Sequence, residues 1–134
     1  MNPPRMRPRI DASNEPFWKG GADGKLNVLQ CRDCAQFIHP PLPLCRNCQS
    51  ENITPMALPG TGVIDTFTVN HQKWYPGVET PYVIARVRLD GAPGVILTTN
   101  IINCAAQDVR FDDKVRVVFD EQDGIFFPLF EKAD

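Results

Sequence analysis

Four cysteines, arranged as two C-x2-C pairs, constrain the fold of this chain more than any other feature of its sequence. Cys31 and Cys34 form the first pair, and Cys45 and Cys48 form the second after ten intervening residues. A C-x2-C pair on a tight turn brings two sulfurs close enough to share one ion, and two pairs supply the four thiolates that zinc prefers. Because four thiolates fill a tetrahedral shell, the spacing predicts a structural Zn²⁺ site and not a catalytic one.

Two other uses of these cysteines stay open at the level of sequence. The same thiolate set holds a single redox-active iron in rubredoxins, and ligand type does not separate the two metals. A redox dithiol is the second alternative, although two pairs so close together disfavour it. His39, between the pairs, is interpreted as a surface or packing histidine. Cys104 follows an apolar strand and is interpreted as a buried, inert thiol.

Composition restricts the class of protein. The chain has 134 residues, of which 43% are apolar, enough for one ordinary domain or two small domains that share a core. A net charge of −2 argues against nonspecific nucleic-acid binding, which normally requires a basic stripe. No apolar run approaches the roughly 18 residues that span a bilayer, and the N-terminus lacks the apolar core of a secretory signal. We therefore expect a cytoplasmic protein that does not enter a membrane.

The pattern of prolines and glycines divides the chain into three regions. Residues 1–10 contain three prolines and three arginines and are expected to form a flexible tail. Residues 11–58 are expected to hold a short helical element and the zinc ribbon, with Gly20-Gly21 ending the helix. A linker follows the cysteines, with a hinge at residues 59–62. The second domain is expected to cover residues 59–134.

Five β-strands are predicted after the hinge. In the first, Val63, Phe67 and Val69 alternate with mostly polar residues. Pro93-Gly94 and Asp123-Gly124 lie where hairpin turns are needed, and Pro128 suggests that the last strand is an edge or terminal strand. The strands are predicted at residues 63–71, 82–89, 95–102, 114–119 and 125–130.

The order of these elements predicts a fold. The expected class is mainly β, with a short N-terminal helix and a rubredoxin-like zinc ribbon followed by a five-stranded OB-fold barrel. An insert between the third and fourth strands, at residues 105–113, is expected to hold one short helical turn. A five- or six-stranded sandwich is the alternative.

The loop of residues 70–81, between the first two barrel strands, is the most distinctive candidate for a binding surface. It carries His71, Lys73 and the adjacent aromatic residues Trp74 and Tyr75. In OB barrels the corresponding loop borders the ligand face, and exposed loop aromatics often mark contact surfaces. The alternative is that the two rings cover one end of the barrel.

Catalytic machinery is not evident in the sequence. The chain has only two histidines and contains no G-x-S-x-G elbow, phosphate loop or H-E-x-x-H motif. The carboxylates that cluster between residues 108 and 123 are interpreted as solvated turn residues. We therefore predict no catalytic residue in this chain.

Several short motifs follow one another in a distinctive order. They are EPFW at 15–18, GKL at 24–26, QCRDC at 30–34, PP at 40–41 ahead of CRNC at 45–48, GTGVI at 60–64, FTV at 67–69 and PYVIA at 81–85. Together they resemble the zinc-ribbon/OB-fold proteins that accompany thiolase-like enzymes of acyl-CoA metabolism. The resemblance covers about residues 14–130.

The resemblance implies a non-catalytic subunit of a hetero-oligomer that acts in lipid or steroid metabolism. Members of that family lie beside a thiolase-like or aldolase subunit and support acyl transfer, thiolysis or retro-aldol cleavage of CoA thioesters, whereas others partner hydratases of the hotdog fold. An acyl-CoA thioester is then expected at the shared interface, where Lys73, with Arg86 and Arg88 on the next strand, would favour its phosphates. The alternative is that Arg86 and Arg88 form the solvated face of that strand. A nucleic-acid-binding module is the competing function, because ribbons and OB barrels also serve in that role.

Overall fold

A computed structural model describes residues 4–133 of the chain. It contains a three-stranded sheet and a closed five-stranded barrel, so the predicted mainly-β class is confirmed. The elements are α1 (Glu15–Lys19), β1 (Leu26–Cys31), β2 (Phe37–Ile38), β3 (Ile53–Leu58), β4 (Thr61–Asn70), β5 (Tyr82–Leu89), β6 (Ile96–Ile102), β7 (Lys114–Gln122) and β8 (Ile125–Lys132).

The small sheet contains a strand that the sequence pattern does not predict. Its order is β2-β1-β3, and β3 pairs antiparallel with β1 along its whole length, from Leu26 opposite Leu58 to Cys31 opposite Ile53. The interpretation of this segment as a linker is therefore wrong for residues 53–58. Pro55 disfavours a central strand, but β3 lies at the edge of the sheet, where a missing N–H is tolerated.

The five strands of the second domain close into a barrel with the order β4-β5-β6-β8-β7. This confirms the OB barrel and excludes the sandwich. The parallel pairing of β6 with β8 is short, joining Ile101 to Phe130 and Ile102 to Glu131. Pro128, on the last strand, precedes this pairing and lies opposite Phe119 of β7. The backbone pairing of β6 with β8 is therefore limited to their last parts, and beside Pro128 the Thr99 hydroxyl joins the two strands by donating to the Pro128 carbonyl at 2.7 Å.

A β-bulge in β4 changes which residues face the core. The register of β4 against β5 shifts between Ile64 and Thr66, which leaves Asp65 as an additional residue. Ile64 is fully buried and Val63 is half-buried, whereas beyond the bulge Phe67 is more buried than its neighbours. The predicted pattern, in which the odd-numbered residues of this strand face the core, is therefore wrong at Val63. The extra residue at the bulge exchanges the core-facing and outward-facing positions of the strand.

The N-terminal helix continues through the two glycines that were expected to end it. A 3₁₀ turn spans Gly20–Asp23, and the chain leaves it at Gly24, whose φ of +69° is the left-handed conformation typical of a helix end. A Cβ on Gly21 would lie 2.5 Å from the Cβ of Phe126, so glycine is required there for close packing on β8. The second predicted turn, in the insert after β6, is confirmed as a 3₁₀ turn at Ala106–Asp108.

Helix α1 joins the ribbon to the barrel in one continuous core. Phe17 and β1 residues Leu26 and Val28 belong to the same buried cluster as barrel residues such as Val115 and Phe130. No helix within residues 4–133 is long and apolar enough to cross a membrane.

The predicted N-terminal tail lies partly outside the described residues, which begin at Pro4. Residues 4–10 form neither helix nor strand. They nevertheless contact the barrel, because Arg5 is half-buried and bonded to strands β6 and β7 through Asn100 and Asp120.

Candidate functional site

The two cysteine pairs lie on two turns of matching geometry. In the first turn the Ala35 amide donates to the Cys31 carbonyl at 2.9 Å, and in the second the Gln49 amide donates to the Cys45 carbonyl at 2.9 Å. Ala35 and Gln49 both have positive φ, at 66° and 60°. The two turns therefore have the same local geometry, and each of them holds one pair of sulfurs.

The four cysteine sulfurs converge on one point. All lie within 4.8 Å of one another, and the pairs Cys31–Cys48 and Cys34–Cys45 are each separated by 3.6 Å. A tetrahedral zinc ion with Zn–S bonds of about 2.3 Å requires sulfurs about 3.8 Å apart. The donor set and its spacing therefore fit a structural zinc ion, as the sequence predicts.

Hydrogen bonds favour the thiolate form of Cys34, one of the four cysteines, whereas those among the sulfurs raise the pKa of Cys48. The side chain of Asn47 and the backbone of Gln36 lower the pKa of Cys34 to about 6, which favours its thiolate at neutral pH. The Asn47 amide also donates to the Cys45 sulfur at 3.4 Å. Cys31 and Cys45 are buried, whereas Cys34 is half-buried and Cys48 is exposed, so the cluster is shielded from water on one side only.

His39 and Cys104 lie outside the sulfur cluster. The His39 ring packs on Phe17 with centroids 5.1 Å apart, which confirms a packing histidine. Its Nδ1 is buried with no hydrogen-bond partner among residues 4–133, and burial lowers the pKa of the ring. Cys104 is half-buried, not buried as expected, and desolvation raises the pKa of its thiol.

The loop after β4 presents its candidate residues to solvent. Trp74 is 68% exposed and Tyr75 is 55% exposed, and His71 and Lys73 are exposed as well. The Trp74 Nε1 donates to the Asn70 Oδ1 at 3.1 Å, which fixes the ring at the end of β4. The two aromatic rings therefore do not act as a buried cover over the barrel end.

The two arginines of β5 differ in their surroundings. Arg88 is held by Asp65 at 2.6 Å and by Asp112 at 3.4 Å, and the hydrogen bond that its guanidinium donates to Asp65 is the main cause of its raised pKa. Arg86 is exposed and has no ion-pair partner within residues 4–133. Arg86 lies four residues beyond Tyr82, the first residue of β5 after the loop, and four residues span about 13 Å along a strand. The structure therefore does not bring the β5 arginines together with the loop residues.

One cluster at the barrel wall was not predicted from the sequence. The Arg5 side chain donates to Asn100 at 3.0 Å and forms an ion pair with Asp120 at 3.3 Å, and the Arg5 amide donates to Gln122 at 3.0 Å. The Asp120 side chain is only 5% exposed. The only sequence signals are a basic N-terminus and an acidic residue inside a strand, which do not identify each other as partners.

Comparison with known protein families gives two matches that follow the two structural modules. Residues 18–54 match the model described as the rubredoxin-like zinc ribbon domain of ChsH2. Residues 56–120 match the model described as the C-terminal OB-fold domain of ChsH2. The two matches together cover most of the chain.

Two curated relatives are named as hydratase subunits. A probable enoyl-CoA hydratase alpha subunit from Thermomonospora curvata is 30% identical over 130 residues, which are 96% of this chain and 40% of the relative. The 3-oxo-4,17-pregnadiene-20-carboxyl-CoA hydratase alpha subunit of Mycobacterium tuberculosis is 32% identical over 85 residues, which are 63% of this chain and 27% of the relative. The chain thus spans less than half the length of either relative.

Two solved structures share the fold. A chain of a structure described as the Ltp2-ChsH2(DUF35) aldolase superposes with a TM-score of 0.85 at 28% identity, covering 96% of this chain and 100% of that one. A protein of unknown function of the DUF35 family from Sulfolobus solfataricus superposes with a TM-score of 0.63 at 18% identity, covering 91% and 86%. The second likeness shows the fold alone.

Proposed function

Because the chain belongs to the ChsH2 family of zinc-ribbon and OB-fold proteins, we propose that it is a non-catalytic subunit of a complex that processes acyl-CoA. Its partner in this proposal is a thiolase-fold enzyme. The observation that carries the proposal is the superposition on a chain of the Ltp2-ChsH2(DUF35) aldolase, which is matched over its full length with a TM-score of 0.85.

The side chains of this protein support a non-catalytic role. Its thiols are four converging cysteines and Cys104, whose pKa is raised by desolvation. His39 is packed against Phe17, and His71 lies on an exposed loop, so neither is hydrogen-bonded to a nucleophile within residues 4–133. The partner would therefore supply the groups for retro-aldol cleavage, thiolysis or acyl transfer, and this chain would supply a rigid surface stabilised by zinc.

We also propose that this chain contributes to CoA binding. Lys73 and Arg86 are exposed and have no ion-pair partner within residues 4–133, so their charges are available to phosphate oxygens. Arg88 is less suited, because Asp65 and Asp112 already neutralise its guanidinium. His71, Trp74 and Tyr75 would contact the partner or the acyl-CoA thioester at the edge of the complex.

A hotdog-fold enoyl-CoA hydratase is the second candidate partner. The observation that favours it is the naming of both curated relatives as hydratase alpha subunits. Nucleic acid is disfavoured as a ligand, because Arg5 and Arg7 of the basic N-terminus already pair with Asp120 and Asp123.

Reconstitution tests these alternatives directly. The zinc-loaded chain would be mixed with a thiolase-fold aldolase, a hotdog-fold hydratase or a single-stranded oligonucleotide, and each mixture analysed by size-exclusion chromatography with light scattering. We expect a stable complex with the thiolase-fold protein and faster cleavage of a β-hydroxyacyl-CoA than by that enzyme alone. Binding only to the hydratase or the oligonucleotide, or turnover of acyl-CoA by the isolated chain, would overturn the proposal.

A further inference from the structure

Two arginines fasten the N-terminal arm, defined here as residues 4–9, to the barrel. Arg5 is the half-buried one, and Arg7 pairs with Asp123 at the surface. Arg5 reaches β6 through Asn100 and β7 through Asp120, and its guanidinium lies 5.8 Å from the ring centroid of Phe127 on β8. These three strands are neighbours in the barrel, with β8 between β6 and β7. Arg5 therefore holds the arm at a defined place across them, although the arm has no secondary structure of its own.

The fastened arm meets the loop of residues 70–81. Met6 directly follows Arg5 in the chain, and its sulfur lies 3.6 Å from the Tyr75 hydroxyl. Met6 is 78% exposed, more than either Trp74 or Tyr75. Large apolar side chains exposed side by side are typical of surfaces that another protein covers. The arm and the loop thus present one apolar surface, made by two segments that are far apart in sequence.

A cavity lies between the same two segments. Its volume is about 730 Å³, and Met6 and Tyr75 both border it. Its apolar walls include Val78, Tyr82, Ile84 and Leu129, and its polar lining includes Arg5, Glu79, Asn100 and Asp120. A cavity of this size with mostly apolar walls has room for one or two large side chains of a partner.

We propose that the arm and the loop together form the docking surface for the partner subunit, with an apolar segment of that subunit entering the cavity beside Met6 and Tyr75. This inference rests on the proposed function, because it specifies where the thiolase-fold partner binds. Arg5 acts in it as a positioning residue that holds Met6 in the surface.

Charge indicates the kind of partner surface that fits. Arg5 and Arg7 of the arm are paired with Asp120 and Asp123, whereas Lys73, beside Trp74, is exposed and has no ion-pair partner within residues 4–133. A partner surface with an apolar centre and an acidic group facing Lys73 would complement this arrangement. Association should therefore slow as salt increases, and Lys73→Gln should reduce that dependence.

Two pairs of matched variants test the docking surface. Met6→Ala removes the arm's exposed apolar group, and Met56→Ala removes an exposed methionine from β3 of the ribbon as its control. Arg5→Gln removes the contacts of the arm with β6 and β7, and Arg9→Gln changes an exposed arginine of the same arm that has no ion-pair partner within residues 4–133. Dissociation constants for the thiolase-fold partner would be measured by calorimetry on proteins with verified zinc content and thermal unfolding.

We expect Met6→Ala and Arg5→Gln each to weaken binding at least 10-fold, while both controls stay within 2-fold of the unmodified chain. Met6 is exposed, so its variant keeps the test valid if Arg5→Gln fails to fold. Normal binding by Met6→Ala and by every folded arm variant would overturn the docking surface and leave the proposed function standing. A complete absence of binding by the unmodified chain would instead overturn the proposed function, and the docking surface with it.

Discussion

Phe17 and Trp18 are adjacent in the chain, yet their rings pack on two different modules. The Phe17 ring lies 5.1 Å from His39 of the ribbon, and the Trp18 ring lies 5.5 Å from Phe127 of the barrel. The two rings meet each other edge to face at 4.9 Å. This dipeptide therefore packs against both the zinc ribbon and the barrel.

Replacement of Phe17 by alanine should destabilise both modules together. Phe17 is 5% exposed, and removal of a buried phenylalanine typically costs about 3–5 kcal/mol of unfolding free energy. Phe111→Ala is the control, because that ring is 64% exposed and its loss should cost about 1 kcal/mol or less. Urea unfolding followed by tryptophan fluorescence and by zinc release gives both values. Zinc release at a clearly different urea concentration from barrel unfolding would show that the modules are not coupled.

Removal of one zinc ligand should unfold the ribbon. Cys31→Ser leaves three thiolates for an ion whose binding supplies the folding free energy of a segment with few apolar side chains of its own. We expect loss of bound zinc or of solubility, whereas Cys104→Ser should retain one zinc ion per chain. Elemental analysis of the unmodified protein that shows no zinc, or stoichiometric iron, would contradict the assignment.

The double substitution Trp74→Ala and Tyr75→Ala should weaken partner binding without unfolding the protein. Both rings are exposed, so their removal leaves the core intact, and interface aromatics of this kind are often worth about 2 kcal/mol or more. Calorimetry with the thiolase-fold partner measures the affinity, and zinc content with thermal unfolding provides the control. A folded double variant that binds with unchanged affinity would remove the loop from the interface.

Acid should destabilise the protein in part through His39. Burial lowers the pKa of this ring in the folded state below the value of about 6.5 for an unfolded chain, so the unfolded state binds more protons at acid pH. The stability associated with neutral His39 is therefore complete above pH 6.5 and is lost as pH falls through the lowered pKa. The drop in melting temperature between pH 7.5 and 5.5 should be smaller in His39→Phe than in the unmodified chain. Zinc loss affects both proteins, and equal drops would exclude the contribution of His39.

Features encoded within a short stretch of chain were predictable. The cysteine spacing identified the metal site. In the predicted strand at residues 82–89, every second residue from Val83 to Leu89 is apolar, and all four of these residues are buried in β5. The turn at Asp123-Gly124 was also identifiable, because both residues adopt the positive φ that a tight hairpin requires. In each case the residues that determine the structure are neighbours.

Features that depend on distant partners were not predictable. Strand β3 exists because β1 offers it an edge, which its own composition with Pro55 does not suggest. The bulge at Asp65 is visible only against β5, and the half-buried position of Arg5 depends on Asp120, 115 residues away. The role of the loop at residues 70–81 stays a prediction, because exposure alone does not identify a partner.

The pairing of β1 with β3 bears on how such modules are exchanged between proteins. The matched ribbon ends at residue 54 and the matched barrel begins at residue 56, so a junction between them falls inside β3. A gene fusion cut there would leave β1 with half of its antiparallel neighbour. A crossover after Leu58 would transfer the complete sheet, and chimeras joined at that point should retain metal and solubility where those joined at residue 55 do not.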